Sequence, residues 1–73
     1  MENFITFNDL NKELYLYDTH CHHKDNHIWV IDAVSKYRCL IRKLKSGYLQ
    51  SYYIDDFPED RFIPISYANN GHQ

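Results

Sequence analysis

The segment from His27 to Val34 constrains the fold of this chain more than any other. It is rich in β-branched and aromatic residues, and it places apolar side chains on both faces of an extended strand. Trp29, Ile31 and Ala33 fall on one face, and Ile28, Val30 and Val34 fall on the other. Strands that are apolar on both faces are usually covered on both sides. We therefore expect a strand that is central in a β-sheet or covered on both sides.

Segments of β-type composition lie on either side of this strand. Leu14–Thr19 is rich in Leu and Tyr, and Tyr37–Leu44 follows a short connection at Ser35 and Lys36. The run Lys45–Gly47 predicts a hairpin turn, because glycine adopts a positive φ without steric cost. Tyr48–Asp55 then predicts a further strand rich in Tyr.

The last part of the predicted sheet contains both prolines. Pro58 predicts one turn of 3₁₀ helix within Phe57–Arg61, because proline presets a turn and cannot donate to a ladder. Phe62–Ser66 predicts a short closing strand. Pro64 within it favours an edge position, because a central strand needs every backbone N–H.

The two ends of the chain give weaker signals. Phe4–Phe7 suggests a short strand, Asn8 is a good N-cap, and Asp9–Leu14 could form one or two helical turns. We treat residues 1–13 as an element added to the barrel. We expect residues 67–73 to fray, because they are small and polar.

The predicted fold is all-β, or β with one short N-terminal helical turn, in a single domain over residues 1–73. This order of strands can close into a small five-stranded barrel. The expected core consists of Trp29 or Val30, Ile31, Leu40 or Ile41, Ile54, Phe57, Phe62 and Ile65.

The stretch from Ile28 to Ile65 resembles small SH3-like β-barrels, including short phage-encoded proteins. The resemblance is carried by the Tyr-rich segment Tyr48–Ile54, which is followed by Phe57–Ile65 with its Arg-Phe pair and closing strand. It covers about half of the 73 residues. The resemblance implies protein or nucleic-acid binding and no catalytic residues.

Composition excludes several classes of function. The net charge of −2 argues against a histone-like nucleic-acid binder, and no apolar run approaches the ~20 residues of a membrane span. No N-terminal stretch has the pattern of a secretion signal, and two cysteines are few for a disulfide framework. We expect a cytoplasmic protein with reduced thiols that does not bind membranes.

Charge is segregated along the chain. Lys36–Lys45 contains five cations and no acid, whereas Asp55–Asp60 contains four acids and no cation. The acids Asp55, Asp56, Glu59 and Asp60 could occupy a basic groove of a protein partner. The cations Arg38, Arg42, Lys43 and Lys45 could instead bind nucleic-acid phosphates. Both runs are also compatible with ordinary solvated faces.

The tyrosines also bear on whether the chain has a protein-binding surface. Tyr52 and Tyr53 are adjacent, so in a strand they point to opposite faces and one of them is directed away from the core. Exposed tyrosine favours a protein interface. A second small core under the N-terminal segment would also use such side chains.

The run Asp18-Thr19-His20-Cys21-His22 offers a metal-binding alternative. It resembles the first-strand metal motif of TatD-like and other amidohydrolases, but that enzyme needs an eight-stranded barrel of roughly 250 residues. A smaller zinc site could use His20, His22, His27 and Cys21, or Cys39 from a neighbouring strand. No Cys-x-x-Cys pair supports it, and we expect no cofactor.

These observations favour a non-catalytic binding protein that modulates or inhibits another protein, in the way that phages act on host or bacterial defence proteins. The predicted surface contains the four acids of Asp55–Asp60 together with Tyr52 and Tyr53. Nucleic-acid binding by the basic strand is the first alternative, and a His and Cys metal module is the second. The sequence leaves the target and the oligomeric state open.

Overall fold

The computed structural model describes residues 3–22 and 26–65. It contains five β-strands: β1 (Tyr15–Asp18), β2 (Ile28–Val34), β3 (Arg38–Lys43), β4 (Leu49–Tyr53) and β5 (Phe62–Ile65). Two 3₁₀ turns, Phe7–Asp9 and Ile54–Asp56, complete the described elements. The predicted all-β class is confirmed. The predicted frayed tail at 67–73 lies outside the described residues.

All the strands form one antiparallel sheet in the order β4-β3-β2-β1-β5. β2 is central, as its two apolar faces predict, and β5 is an edge strand, as Pro64 predicts. The sheet is compatible with a small SH3-like barrel, but it is not closed: no ladder joins β4 to β5 in the described part of the chain. Aromatic side chains span the opening instead, with the rings of Tyr52 and Phe62 at 6.3 Å between centroids.

The core lies on one face of this curled sheet. Its buried members are Leu16, Trp29, Ile31, Cys39, Ile41, Phe57 and Phe62, joined by Ile5, Phe7 and Leu10 from the N-terminal segment. Of the expected core, Ile54 is wrong, because it begins a 3₁₀ turn and is 36% exposed. Leu40 and Ile65 are only half-buried, and Val30 is buried on the opposite face of β2.

The N-terminal segment differs from its prediction. Neither a strand at Phe4–Phe7 nor a helix after Asn8 forms; instead the chain makes a 3₁₀ turn at Phe7–Asp9. The N-cap position is Thr6, whose hydroxyl donates to the Asp9 carboxylate at 3.1 Å. An isolated helix of one or two turns is unstable, so burial of apolar side chains against the sheet decides this conformation.

The second 3₁₀ turn lies at Ile54–Asp56, ahead of its predicted position at Phe57–Arg61. Phe57 is extended, with φ −66° and ψ 126°. A residue that precedes proline is restricted to this region, so Pro58 forces the turn to end at Asp56. The same turn ends β4 at Tyr53 rather than at Asp55.

Candidate functional site

The connection between β4 and β5, residues 54–61, is called the acidic loop below. Its four acids, Asp55, Asp56, Glu59 and Asp60, are all exposed, so the structure brings the predicted acidic residues together on one loop. Phe57 is buried at 6% exposure and anchors the loop in the core, against Tyr52 at 5.5 Å and Phe62 at 5.7 Å between ring centroids. The acids are therefore displayed from a fixed base.

The negative charge of the acidic loop is not neutralised locally. None of its four acids forms a hydrogen bond or ion pair with another residue of the described ranges. The loop's own cation, Arg61, points inward to the carboxylate of Asp18. Unpaired charges of one sign on a single loop form a local negative potential that attracts a cationic surface.

Asp18 is the centre of a buried polar network that sequence reasoning missed. Its carboxylate is 1% exposed and receives two bonds from Arg61, Nε to Oδ1 and Nη2 to Oδ2, both at 2.9 Å. Trp29 Nε1 donates to Oδ2 at 3.0 Å, and the backbone N–H of His20 donates to Oδ1 at 2.9 Å. The Asp18 oxygens are the acceptors in all four bonds, so the group is held as an ionised carboxylate.

The network shifts the pKa values of its members. Burial raises the pKa of Asp18, but the hydrogen bonds from Arg61, Trp29 and His20 outweigh it, and the net pKa lies below the ordinary value of 3.8. The hydrogen bond to Asp18 raises the pKa of Arg61. Burial raises the pKa of the Tyr52 phenol, whose oxygen accepts a bond from Arg61 Nη1 at 3.3 Å. The network ties Arg61, at the end of the acidic loop, to Asp18 of β1.

The two adjacent tyrosines lie on opposite faces, as predicted. Tyr52 is half-buried and packs against Phe57 and Phe62. Tyr53 is 57% exposed and immediately precedes the acidic loop, with the guanidinium of Arg38 over its ring at 5.9 Å. Tyr53 is therefore the residue of the pair that a partner could contact through its ring.

The cations of the basic strand are largely engaged within the molecule. Arg42 binds Asp32 through two hydrogen bonds of 3.0 and 3.2 Å, and the hydrogen bond raises its pKa. Arg38 stacks on Tyr53, and Lys43 lies over the ring of Trp29 at 5.3 Å, on the core face of β3. Lys45 is exposed in the turn between β3 and β4. The strand does not present its cations as one free row.

The His and Cys residues do not converge in the described structure. Within residues 3–22 and 26–65, no three His, Cys, Asp or Glu side chains are grouped to hold a metal ion. His20 and His22 are exposed, the Sγ of Cys21 donates to the carbonyl of Asn26 at 3.3 Å, and His27 stacks on Tyr17. Asp18, the first residue of the amidohydrolase-like motif, is committed to Arg61. His23 lies outside the described residues.

Cys39 is 2% exposed and packs in the core as a small apolar residue, as predicted. Burial raises the pKa of its thiol. The thiolate is the nucleophilic form, so this environment disfavours a catalytic role for Cys39.

The face of the sheet opposite the core is also apolar over β1, β2 and β5. It carries Tyr15, Tyr17, Ile28, Val30, Ile63 and Ile65, of which Val30 is buried, Tyr17 exposed and the others half-buried. The sequence already predicts the share of β2 in this face, and the period of a strand adds Tyr15 and Tyr17 from β1, which pair with Val30 and Ile28.

Comparison of the chain with protein-family models, with curated proteins and with solved structures found no significant match. Among the described residues, the structure contains no helix with the length and apolar character needed to cross a membrane.

Proposed function

We propose that this chain is a small non-catalytic binding protein that engages a basic surface of a protein partner through its acidic loop and Tyr53. The observation that carries the proposal is a difference in charge pairing. The four acids of the loop are exposed and without partners in the described ranges, whereas Arg38, Arg42 and Lys43 are engaged by an aromatic ring or a carboxylate.

This difference favours a protein partner over nucleic acid. Nucleic-acid binding requires cations that are free to neutralise phosphates. Arg42 holds the Asp32 carboxylate through two hydrogen bonds, and that negative charge repels a phosphate at the same position. The four acids of the loop break no hydrogen bond or ion pair of the described ranges on binding, so their costs are desolvation and side-chain ordering. Its net negative surface also repels phosphates at long range.

The proposed partner is a protein with a basic groove, such as an enzyme or defence factor that itself binds nucleic acid. Carboxylates on a rigid base can take the place of phosphates in such a groove. A phage-type inhibitor or modulator of a host or defence protein would act in this way. The exposed ring of Tyr53 beside the acids would supply the apolar contact that surface charges alone lack.

The test is affinity capture from nuclease-treated bacterial lysate with tagged protein, quantified by mass spectrometry. One variant neutralises the loop: Asp55→Asn, Asp56→Asn, Glu59→Gln and Asp60→Asn. A control variant, Lys12→Gln with Lys36→Gln, removes exposed charge of the opposite sign and leaves the Arg38–Tyr53 contact in place. We expect the first variant to lose the partner by about tenfold or more, which corresponds to about 1.4 kcal/mol of lost attraction. The control variant should retain it.

A second measurement addresses the nucleic-acid alternative directly. Duplex DNA and single-stranded RNA are titrated into the wild-type protein and into Arg42→Glu with Lys43→Glu, at low and high salt. We expect no tight binding by the wild type. Binding that weakens steeply with salt and disappears in the variant would replace the proposed function with nucleic-acid binding.

A further inference from the structure

The two edge strands of the sheet, β5 and β4, differ in how their outward-pointing backbone groups are covered. At β5, the N–H of Thr19 donates to the carbonyl of Arg61, so the backbone of Arg61 faces β1. Residues that face the partner strand alternate with residues that face away from it, so the backbone groups of Phe62 and Pro64 point away from β1. Pro64 has no N–H to offer, and the carbonyl of Phe62 accepts the N–H of Ile5 at 2.8 Å. The β5 edge is thus closed by proline and by the N-terminal segment.

The β4 edge has no such cover in the described part of the chain. Lys43 N–H donates to the carbonyl of Tyr48, and Ile54 N–H donates to the carbonyl of Tyr37, so the even-numbered residues of β4 bond to β3. The backbone groups of Leu49, Ser51 and Tyr53 therefore point outward. Their one described partner is local: the side-chain amide of Gln50 donates to the carbonyl of Ser51 at 3.0 Å.

The composition of β4 lacks the features that protect edge strands. Its sequence, Leu-Gln-Ser-Tyr-Tyr, contains no charge and no proline, and its ladder to β3 has no bulge. Leu49 and Tyr53 are 53% and 57% exposed. An uncharged edge with exposed apolar side chains is a template for pairing with another strand.

We propose that β4 pairs antiparallel with β4 of a second copy of this chain, about a two-fold axis at Ser51. This register pairs Ser51 with itself and Leu49 with Tyr53 of the other copy. It uses every outward-pointing residue of β4, whereas a shift by two residues leaves some of them unpaired. The small Ser51 at the axis lets the two backbones approach, and Leu49 packs against the ring of Tyr53, which gives an isologous contact.

Charge at the ends of β4 favours a second copy in this orientation. Asp55 and Asp56 follow the strand, and Lys45 precedes it in the turn from β3. Antiparallel pairing places the acidic end of one strand beside the basic turn of the other, at both ends of the contact. Parallel pairing would place like charges together.

The β4 dimer is a further interaction beyond the proposed partner complex, and experiments can separate the two interactions. Tyr53, Asp55 and Asp56 belong to both surfaces, so a dimer and a complex with a basic protein would compete. Glu59 and Asp60 lie further along the loop and take no part in the pairing, so neutralising them alone affects only the partner complex.

Sedimentation equilibrium of the full chain tests the dimer, with Ser51→Pro as the disrupting variant and Ser51→Ala as its matched control. Proline at position 51 removes an N–H that points outward and spares the bonds to β3, and it requires of Gln50 only the extended backbone it already has. We expect the wild type and Ser51→Ala to dimerise at concentrations on the order of 0.1 mM, and Ser51→Pro to raise the dimer Kd by about tenfold or more.

Hydrogen exchange followed by NMR locates the contact. The amides of Leu49, Ser51 and Tyr53 should exchange fast in dilute samples and become protected as concentration rises, whereas those of Gln50 and Tyr52 should be protected throughout. If Ser51→Pro proves unfolded by circular dichroism, a charge swap decides. Lys45→Glu should weaken the dimer, and adding Asp55→Lys and Asp56→Lys should restore it.

A chain that stays monomeric at ~1 mM overturns the proposal. So does a dimer that leaves the Leu49, Ser51 and Tyr53 amides unprotected, or one that a folded Ser51→Pro variant leaves intact. Failure of the dimer would not affect partner capture by the acidic loop, and failure of capture would not affect the sedimentation result.

Discussion

Two Arg–Asp pairs in this molecule have nearly the same geometry and very different surroundings. Arg61 binds Asp18 through two bonds of 2.9 Å, and Arg42 binds Asp32 through bonds of 3.0 and 3.2 Å. The carboxylate side chain is 1% exposed in the first pair and 30% exposed in the second. Contact distance therefore does not distinguish the pairs, and burial does.

The difference arises from what surrounds each carboxylate. Asp18 lies on the core face of β1 and has further donors in Trp29 and the backbone of His20. Asp32 lies near the bulge of β2, where water replaces any partner that is lost. Breaking a buried pair leaves an uncompensated charge in the protein, whereas breaking an exposed one returns both groups to solvent. Each prediction below tests this contrast.

Asp18→Asn should have the largest effect. The amide removes the charge that balances Arg61, and its NH₂ group meets a donor at one of the two oxygen positions. We expect a loss of about 3–5 kcal/mol in unfolding free energy, measured by urea denaturation. In a domain of this size, that corresponds to a fall in Tm of more than about 10 °C. A loss below ~1 kcal/mol would mean that burial does not distinguish the two pairs.

Acid should weaken the fold through the same carboxylate. The pKa of Asp18 is lower in the folded protein than its ordinary value of 3.8, so its stabilising contribution is complete above that value. It is lost as pH falls through the folded pKa. Urea denaturation between pH 7 and pH 2 should show this loss in the wild type and in Asp32→Asn. Asp18→Asn should lack that component, and an unchanged acid dependence in this variant would contradict the assignment.

Trp29→Phe should have an intermediate effect, since it deletes one donor to Asp18 and leaves the ion pair in place. We expect a loss of about 2 kcal/mol, which is typical of a buried hydrogen bond to a charged group together with the smaller ring. The same substitution in the Asp18→Asn background should cost less, because the acceptor has changed. Equal costs in both backgrounds would show that packing alone accounts for the loss.

Asp32→Asn should have the smallest effect. The pair it breaks lies at the surface, and the charge of Arg42 is solvated after the substitution. We expect no change in unfolding free energy beyond experimental error. A clear destabilisation would indicate that the pair holds the irregular register between Ile31 and Ala33.

Local patterns in the sequence were sufficient to predict the strands. Alternation and β-propensity are properties of neighbouring residues, so β2, β3 and β5 were identified near their observed bounds, and Pro64 indicated the edge. The prediction of a strand and a helix in the N-terminal segment is wrong, because Ile5, Phe7 and Leu10 are held by contacts with the sheet rather than by a local preference. The second 3₁₀ turn begins three residues before its predicted start, because Pro58 restricts the backbone of the residue that precedes it.

In the candidate site too, some features follow from the sequence and others depend on the tertiary structure. The charges of Asp55–Asp60 and the opposed faces of Tyr52 and Tyr53 follow from the sequence alone, because they depend on composition and on the period of a strand. Which charges remain without partners depended on tertiary structure. Asp18 and Arg61 are 43 residues apart, and only the pairing of β1 with β5 brings them together and turns Arg61 away from the acids beside it. Such long-range pairing leaves no local pattern, since each residue alone is compatible with an ordinary solvated surface.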